Sequence, residues 1–96
     1  MNDGMERRPR RSERFVWNEV DGEAYVLSND GLTLRLLNAA ATHVWSRCDG
    51  TQTVEQIAAE MPQVFDVSED LAREHVAEVL AEMHTLGLIT YPDPDL

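Results

Sequence analysis

The hydrophobic period of the chain changes once, and that change constrains the fold more than any motif within it. Up to residue 37 the apolar residues come in short runs broken by turn signals; from residue 38 they recur at helical spacing. Phe15-Val16-Trp17 is the first run, and Asp21-Gly22 behind it is a tight-turn dipeptide. Ala24-Tyr25-Val26-Leu27 is the second, followed by Asn29-Asp30-Gly31, with glycine where positive φ is needed. The third, Leu32 to Leu36, alternates, with Leu32, Leu34 and Leu36 on one face and Thr33 and Arg35 on the other. Three runs joined by tight turns predict an antiparallel meander with the third run at an edge.

Beyond the switch, Asn38 predicts the N-cap of a helix over 39–47, stopped by Asp49-Gly50. Thr53 and Gln56 form a capping box for a second helix, which Pro62 is expected to end. Ser68 caps a third helix, with Glu69 and Asp70 at its positive end, running to about Leu86 before Gly87. Its apolar stripe of Leu71, Val76, Val79, Leu80, Met83 and Leu86 is wider than a core-facing stripe requires. Residues 1–13 read as a disordered Arg-rich arm and 91–96 as a flexible tail, flanking one domain over 14–90. The expected class is α+β, a three-stranded antiparallel sheet followed by three helices, a winged-helix-like layout.

Charge narrows the partners. The net charge is −10, from 18 acidic and 8 basic residues, and residues 15–96 alone carry −12. A body that negative repels phosphate backbones, so nucleic acid is excluded as its partner. The longest apolar-leaning stretch, Leu36 to Ser46, is too short to cross a bilayer, so no membrane partner is expected. With no apolar run behind the arginines and a single cysteine, the expected place is the cytoplasm.

No constellation for catalysis stands out. His43, Cys48, His75 and His84 lack metal-ligand spacing, so neither a metal nor a cofactor is expected. Cys48 lies at a helix C-terminus, where the dipole disfavours a thiolate. Glu74, Glu78 and Glu82 recur every four residues, as on a solvated helix face. Binding remains, and the third run is the place for it. An edge strand with no proline and one charge, beside a helix with spare apolar width, forms a groove for an extended peptide.

A resemblance sharpens this reading. Leu36-Leu37-Asn38, Val44-Trp45, Asp49-Gly50, Thr53-Val54-Glu55-Gln56-Ile57, Val76 with Val79-Leu80, and Leu86-Gly87-Leu88-Ile89 follow one another as in the PqqD-like family, also called the RiPP recognition element. The resemblance spans about residues 22–89. It implies three strands packed on three helices. It also implies a non-catalytic peptide chaperone that binds the leader of a ribosomally made precursor peptide by strand addition. The leader is then presented to a modifying enzyme, often a radical S-adenosylmethionine enzyme.

Carried onto this chain, the resemblance makes Leu32, Thr33, Leu34, Arg35, Leu36 and Leu37 the binding strand. It draws the helix wall from Arg73, Val76, Ala77 and Leu80, with His84, or else from Ala72, His75 and Val79 on the opposite flank. His75 stands where the family commonly has Asp, and Leu34 and its neighbours replace an aromatic of the third strand. Two other readings compete. One is a docking subunit that binds its enzyme without any leader. The other is a winged-helix DNA-binding protein, which would need basic residues that the second helix lacks and the third supplies only at Arg73.

Overall fold

The computed structural model describes residues 4–92. After a 3₁₀ turn at Gly4–Glu6, the chain forms β1 (Arg10–Arg11), β2 (Phe15–Val20), β3 (Glu23–Ser28) and β4 (Leu34–Leu37). It continues through α1 (Ala39–Ser46), α2 (Val54–Val64), α3 (Glu69–Thr85) and β5 (Ile89–Thr90). Strands β2, β3 and β4 form an antiparallel meander in that order, and β1 pairs with β5 in a separate ribbon. The expected α+β class, with three strands and then three helices, is the fold observed.

Local chemistry accounts for most boundaries. Asp21 (φ 55°) and Gly22 (φ 84°) are both left-handed, which matches the twist of a two-residue hairpin between Val20 and Glu23. The second turn is longer than expected. Asp30 Oδ1 accepts from the Leu32 amide (2.9 Å), and Ser28 Oγ accepts from the Thr33 amide (3.0 Å). These bonds hold Leu32 and Thr33 in the loop, so the third sheet strand begins at Leu34. Asn38, Thr53 and Ser68 cap the three helices as their sequence contexts predict, and both halves of the Thr53–Gln56 capping box are present. Helix α2 does not stop at Pro62 but continues to Val64. A proline in the last turn deletes one amide bond, and the closing bond of the helix, Phe65 N–H to Met61 O (2.8 Å), still forms. At the end of α3, Gly87 takes φ 78°, with Gly87 N–H bonded to His84 O and Leu88 N–H to Met83 O. This Schellman turn drives Leu88 and Ile89 into the core.

The core lies between the inner face of the sheet and the helices. It contains Ala24, Val26, Val44, Trp45, Ile57, Met61, Val76, Leu80, Met83, Leu88 and Ile89. Because Ala24 and Val26 face inward, their neighbours Tyr25 and Leu27, with Leu34 and Leu36 opposite them, face outward. The outer face is therefore unusually apolar for a solvated sheet, with Val16, Val20, Tyr25, Leu27, Leu34 and Leu36 all exposed.

Residues 4–13 do not form a free arm. The Arg11 and Ser12 amides donate to Cys48 O and Leu88 O (both 2.8 Å), while Pro9 O and Arg7 O accept from the Gly50 and Val54 amides. Pro9 is buried. The Arg11 guanidinium donates to Trp45 O and Ser46 O, both at 3.0 Å, and so adds side-chain donors to the carbonyls at the end of α1. The Arg7 guanidinium stacks 3.7 Å from the centre of the Tyr91 ring. Arginine here serves as a cap and a stacking plate, and the first three residues of the expected arm lie outside the described residues. Tyr91 and Pro92 are the described part of the expected tail.

Two polar contacts lock the layers. Buried Thr42 on α1 accepts from the Ala24 amide (2.9 Å) and donates to Leu37 O (3.1 Å), replacing the last rung of the β3–β4 ladder with a side-chain relay. Between α1 and α2, Glu60 accepts from Arg47 Nε (2.8 Å) and Gln52 Nε2 (2.9 Å). His43 Nε2 lies 3.3 Å away, within charge contact but out of line for a hydrogen bond. Burial raises the Glu60 carboxyl, but the hydrogen bonds from Arg47 and Gln52, with the Arg47 charge, outweigh it and leave the group below its ordinary value.

Thr42→Val keeps the shape and strands the Ala24 N–H. It should cost about 1–3 kcal/mol of unfolding free energy in denaturant titration. Because the Glu60 carboxyl is depressed in the fold, its contribution is complete above the unfolded value of about 4.3 and is lost as pH falls through the lower folded value. Glu60→Gln should therefore flatten the acid limb of a stability–pH curve below about pH 4.3, with little change in its slope near neutrality.

Candidate functional site

The register of β4 decides what its open edge carries. Ser28 N–H donates to Thr33 O (2.9 Å), and the same register pairs Val26 with Arg35 and Ala24 with Leu37. Antiparallel alternation therefore turns the backbone of residues 33, 35 and 37 toward β3. It turns the N–H and C=O groups of Leu34 and Leu36 to the open side. These two residues also stand on the outer face, 60% and 67% exposed. The strand contains no proline or lysine, and among the described residues no further strand covers its edge.

Beside that edge runs a cleft of about 410 Å³ between β4, the start of α1 and one face of α3. Arg35, Leu36, Leu37, Asn38 and Ala41 line the strand side; His75, Glu78, Val79, Glu82, Met83 and Leu86 line the helix side, with Leu88 completing it. Leu37, Ala41, Val79, Met83 and Leu88 give it an apolar floor. The helix residues recur every three or four positions, so one strip of α3 from His75 to its C-terminal end forms the wall.

Of the strand residues expected to bind, Arg35, Leu36 and Leu37 line this cleft, and Leu34 stands at its edge. Leu32 is exposed and Thr33 half-buried in the preceding loop. The helix residues Arg73, Val76, Ala77 and Leu80 are not brought to the cleft. Val76 and Leu80 are buried in the core. Arg73 donates to Glu55 on α2, at 2.7 Å from Nη2, which shows that this flank faces α2 rather than the sheet. Ala77 is exposed and, two residues from Val79, points to the far side of the helix. His84 packs instead against Tyr91, 5.2 Å between ring centres. His75 and Val79, from the opposite flank, do line the cleft, whereas Ala72 beside them is buried. Glu78, Glu82 and Leu86 were not among the expected contacts. Glu78 and Glu82 read as part of a solvated row, and only the position of β4 shows that this row borders a cleft.

With this geometry in view, the comparisons are specific. The profile of the family described as Coenzyme PQQ synthesis protein D (PqqD) matches residues 23–89, and the chain belongs to that family. Solved structures share its fold at low sequence identity. TbiB1, solved in complex with the TbiA(beta) leader peptide, superposes with a TM-score of 0.76 at 20% identity, over 88% of this chain and 99% of that one. Lasso peptide synthetase B1, complexed with the leader peptide, gives 0.76 at 14% identity, over 86% and 98%. The heterocyclase TruD gives 0.67 at 20% identity, over 94% of this chain but 12% of that protein. No protein of curated function matches the chain by sequence.

Among the described residues, no three His, Cys, Asp or Glu groups are arranged to hold a metal ion. No described helix is long and apolar enough to cross a membrane. Cys48 is fully buried, and its Sγ donates to Val44 O at 3.1 Å. Burial pushes the thiol up to about 12, against a small opposing effect of the Arg11 charge. A thiol held protonated and out of solvent is a packing group. In the native protein at pH 8, Ellman's reagent should react no faster than the fold opens, whereas in denaturant it should titrate one thiol per chain at once. Rapid reaction of the native protein would contradict this placement.

Proposed function

We propose that this protein is a leader-peptide-binding partner in a pathway that modifies ribosomally made peptides. The leader adds as a strand to the open edge of β4 and lies along the His75–Leu86 face of α3. The chain then presents the bound precursor to a modifying enzyme. Its part is to bind and position, and it carries out no reaction itself. The observation that carries this reading is the unpaired backbone of Leu34 and Leu36 directly beside a cleft with an apolar floor.

The comparisons add support. Two proteins of this fold were solved holding leader peptides, and in a third the same fold makes up part of a heterocyclase. A free chain that binds the leader and a domain built into the enzyme are two ways to bring precursor and catalyst together. We take the enzyme to be one that accepts a leader-bound precursor, with radical S-adenosylmethionine enzymes among the candidates, and the place to be the cytoplasm, where precursor peptides are made.

Affinity follows from the mode of binding. A short strand with two or three side-chain anchors is a small interface, and ordering a disordered peptide costs about 2–5 kcal/mol, so a dissociation constant of roughly 0.1–10 μM is expected. The test is an NMR titration of labelled protein with leader peptides from precursor genes neighbouring its own. Amide shifts should concentrate in residues 34–37 and 75–86. Leu34→Pro removes a donor from the open edge but no bond from the β3 ladder, so it should weaken leader binding at least tenfold with the sheet retained. Arg35→Pro, which breaks the ladder, should unfold the sheet. Wild-type affinity in a folded Leu34→Pro variant would rule out strand addition at this edge.

A further inference from the structure

The cleft walls differ in charge, and the difference points to a peptide class. Resting on the peptide-binding reading above, we infer that the site selects an extended segment with the pattern basic–apolar–basic. Glu78 and Glu82 both line the helix side, and both are exposed. Among the described residues neither has an ion-pair partner within 4.0 Å, whereas Glu13, Glu55 and Glu60 are each paired with an arginine. The cleft thus carries two carboxylates that the fold itself leaves uncompensated.

Spacing makes them readable by a strand. Four residues of helix rise about 6 Å, and two residues of extended chain span about 6.6 Å. A peptide lying along α3 therefore brings side chains at positions i and i+2 level with Glu78 and Glu82. The apolar floor beneath them, formed by Val79, Met83 and Leu88, accepts the aliphatic stems of lysine or arginine while their charged ends reach the carboxylates. The residue between them points to the opposite side of the added strand, onto the outer face of the sheet. Its neighbours there are the exposed side chains of Leu34 and Leu36, so that position takes an apolar residue. Arg35, the one arginine lining the cleft, sits on the strand side and disfavours a third cation directly across from it. The charge of −12 on residues 15–96 adds long-range attraction for a basic segment and speeds its association at low salt.

The experiment is selection from a display library of random 12-residue peptides against the full chain, followed by NMR mapping of the enriched peptides. Enriched peptides should share Lys/Arg–apolar–Lys/Arg and shift amides of residues 34–37 and 75–86. Their affinity should fall about three- to tenfold in Glu78→Gln/Glu82→Gln. Selection against Glu78→Lys/Glu82→Lys should favour Asp or Glu at the same two positions. Both pairs lie on an exposed helix face, and an unchanged circular dichroism melt confirms that each variant is folded. Peptides that map to the cleft but lack the basic pair, or that bind both double variants as they bind wild type, would overturn the charge pattern and leave strand addition standing. If no enriched peptide shifts amides 34–37, strand addition falls and the charge pattern falls with it.

Discussion

The joint at Leu37, Asn38 and Thr42 holds the open edge of β4 in place. Asn38 ends the strand and caps the helix with one side chain, accepting from the Ala41 amide at 2.8 Å. One turn later, the Thr42 hydroxyl reaches back between Ala24 N–H and Leu37 C=O and closes the ladder that a backbone bond would otherwise close. Strand β4 is thus fixed to β3 on one side and to α1 at its end, and its other side is left open. Helix α3, whose own apolar face packs into the same core, meets that open side at a set distance. The cleft follows from this joint rather than from any residue specialised to line it.

Elements governed by near neighbours were legible in the sequence. The hairpin at Asp21-Gly22, the three helix caps and the Gly87 stop each depend on residues within a few positions. The choice of helix flank was not legible. Arg73, Val76 and Leu80 lie on one side of α3 and His75 and Val79 on the other, and both sides are apolar enough to face a groove. What separates them is the position of α2, which holds Arg73 through Glu55, and the burial of Val76 and Leu80 in the core. The amino-terminal segment was missed for a related reason. It has few apolar residues to bury, and its order comes from backbone groups and guanidiniums that fill orphan carbonyls and amides on distant elements. Hydrophobic patterning carries no trace of such partners.

The fold persists among proteins only 14% and 20% identical to this one. The strand addition proposed for this chain leans on the backbone and would tolerate such divergence. Nearly any sequence that forms β4 at the edge offers the same donors and acceptors. Discrimination then falls to the few side chains along the wall, which can change without disturbing the core. In this chain the two roles are nearly separate on α3, since Ala72, Val76 and Leu80 serve the core and His75, Glu78, Glu82 and Leu86 serve the cleft. Met83, and Val79 packed against the core, belong to both.

An edge that accepts a foreign strand also accepts its own. Two copies of β4 brought together could exchange the free groups of Leu34 and Leu36, and the apolar outer face would then run on from one sheet to the next. Nothing in the strand itself forbids this, because it lacks the prolines and lysines that usually guard such edges. The guard lies in the rest of the chain, where the surplus of carboxylates makes every approaching copy a repelling one. The acidity of the body therefore acts as colloidal protection for a strand whose edge is unpaired. That protection fades in acid or concentrated salt, conditions in which the vacant protein is left most open to homotypic stacking.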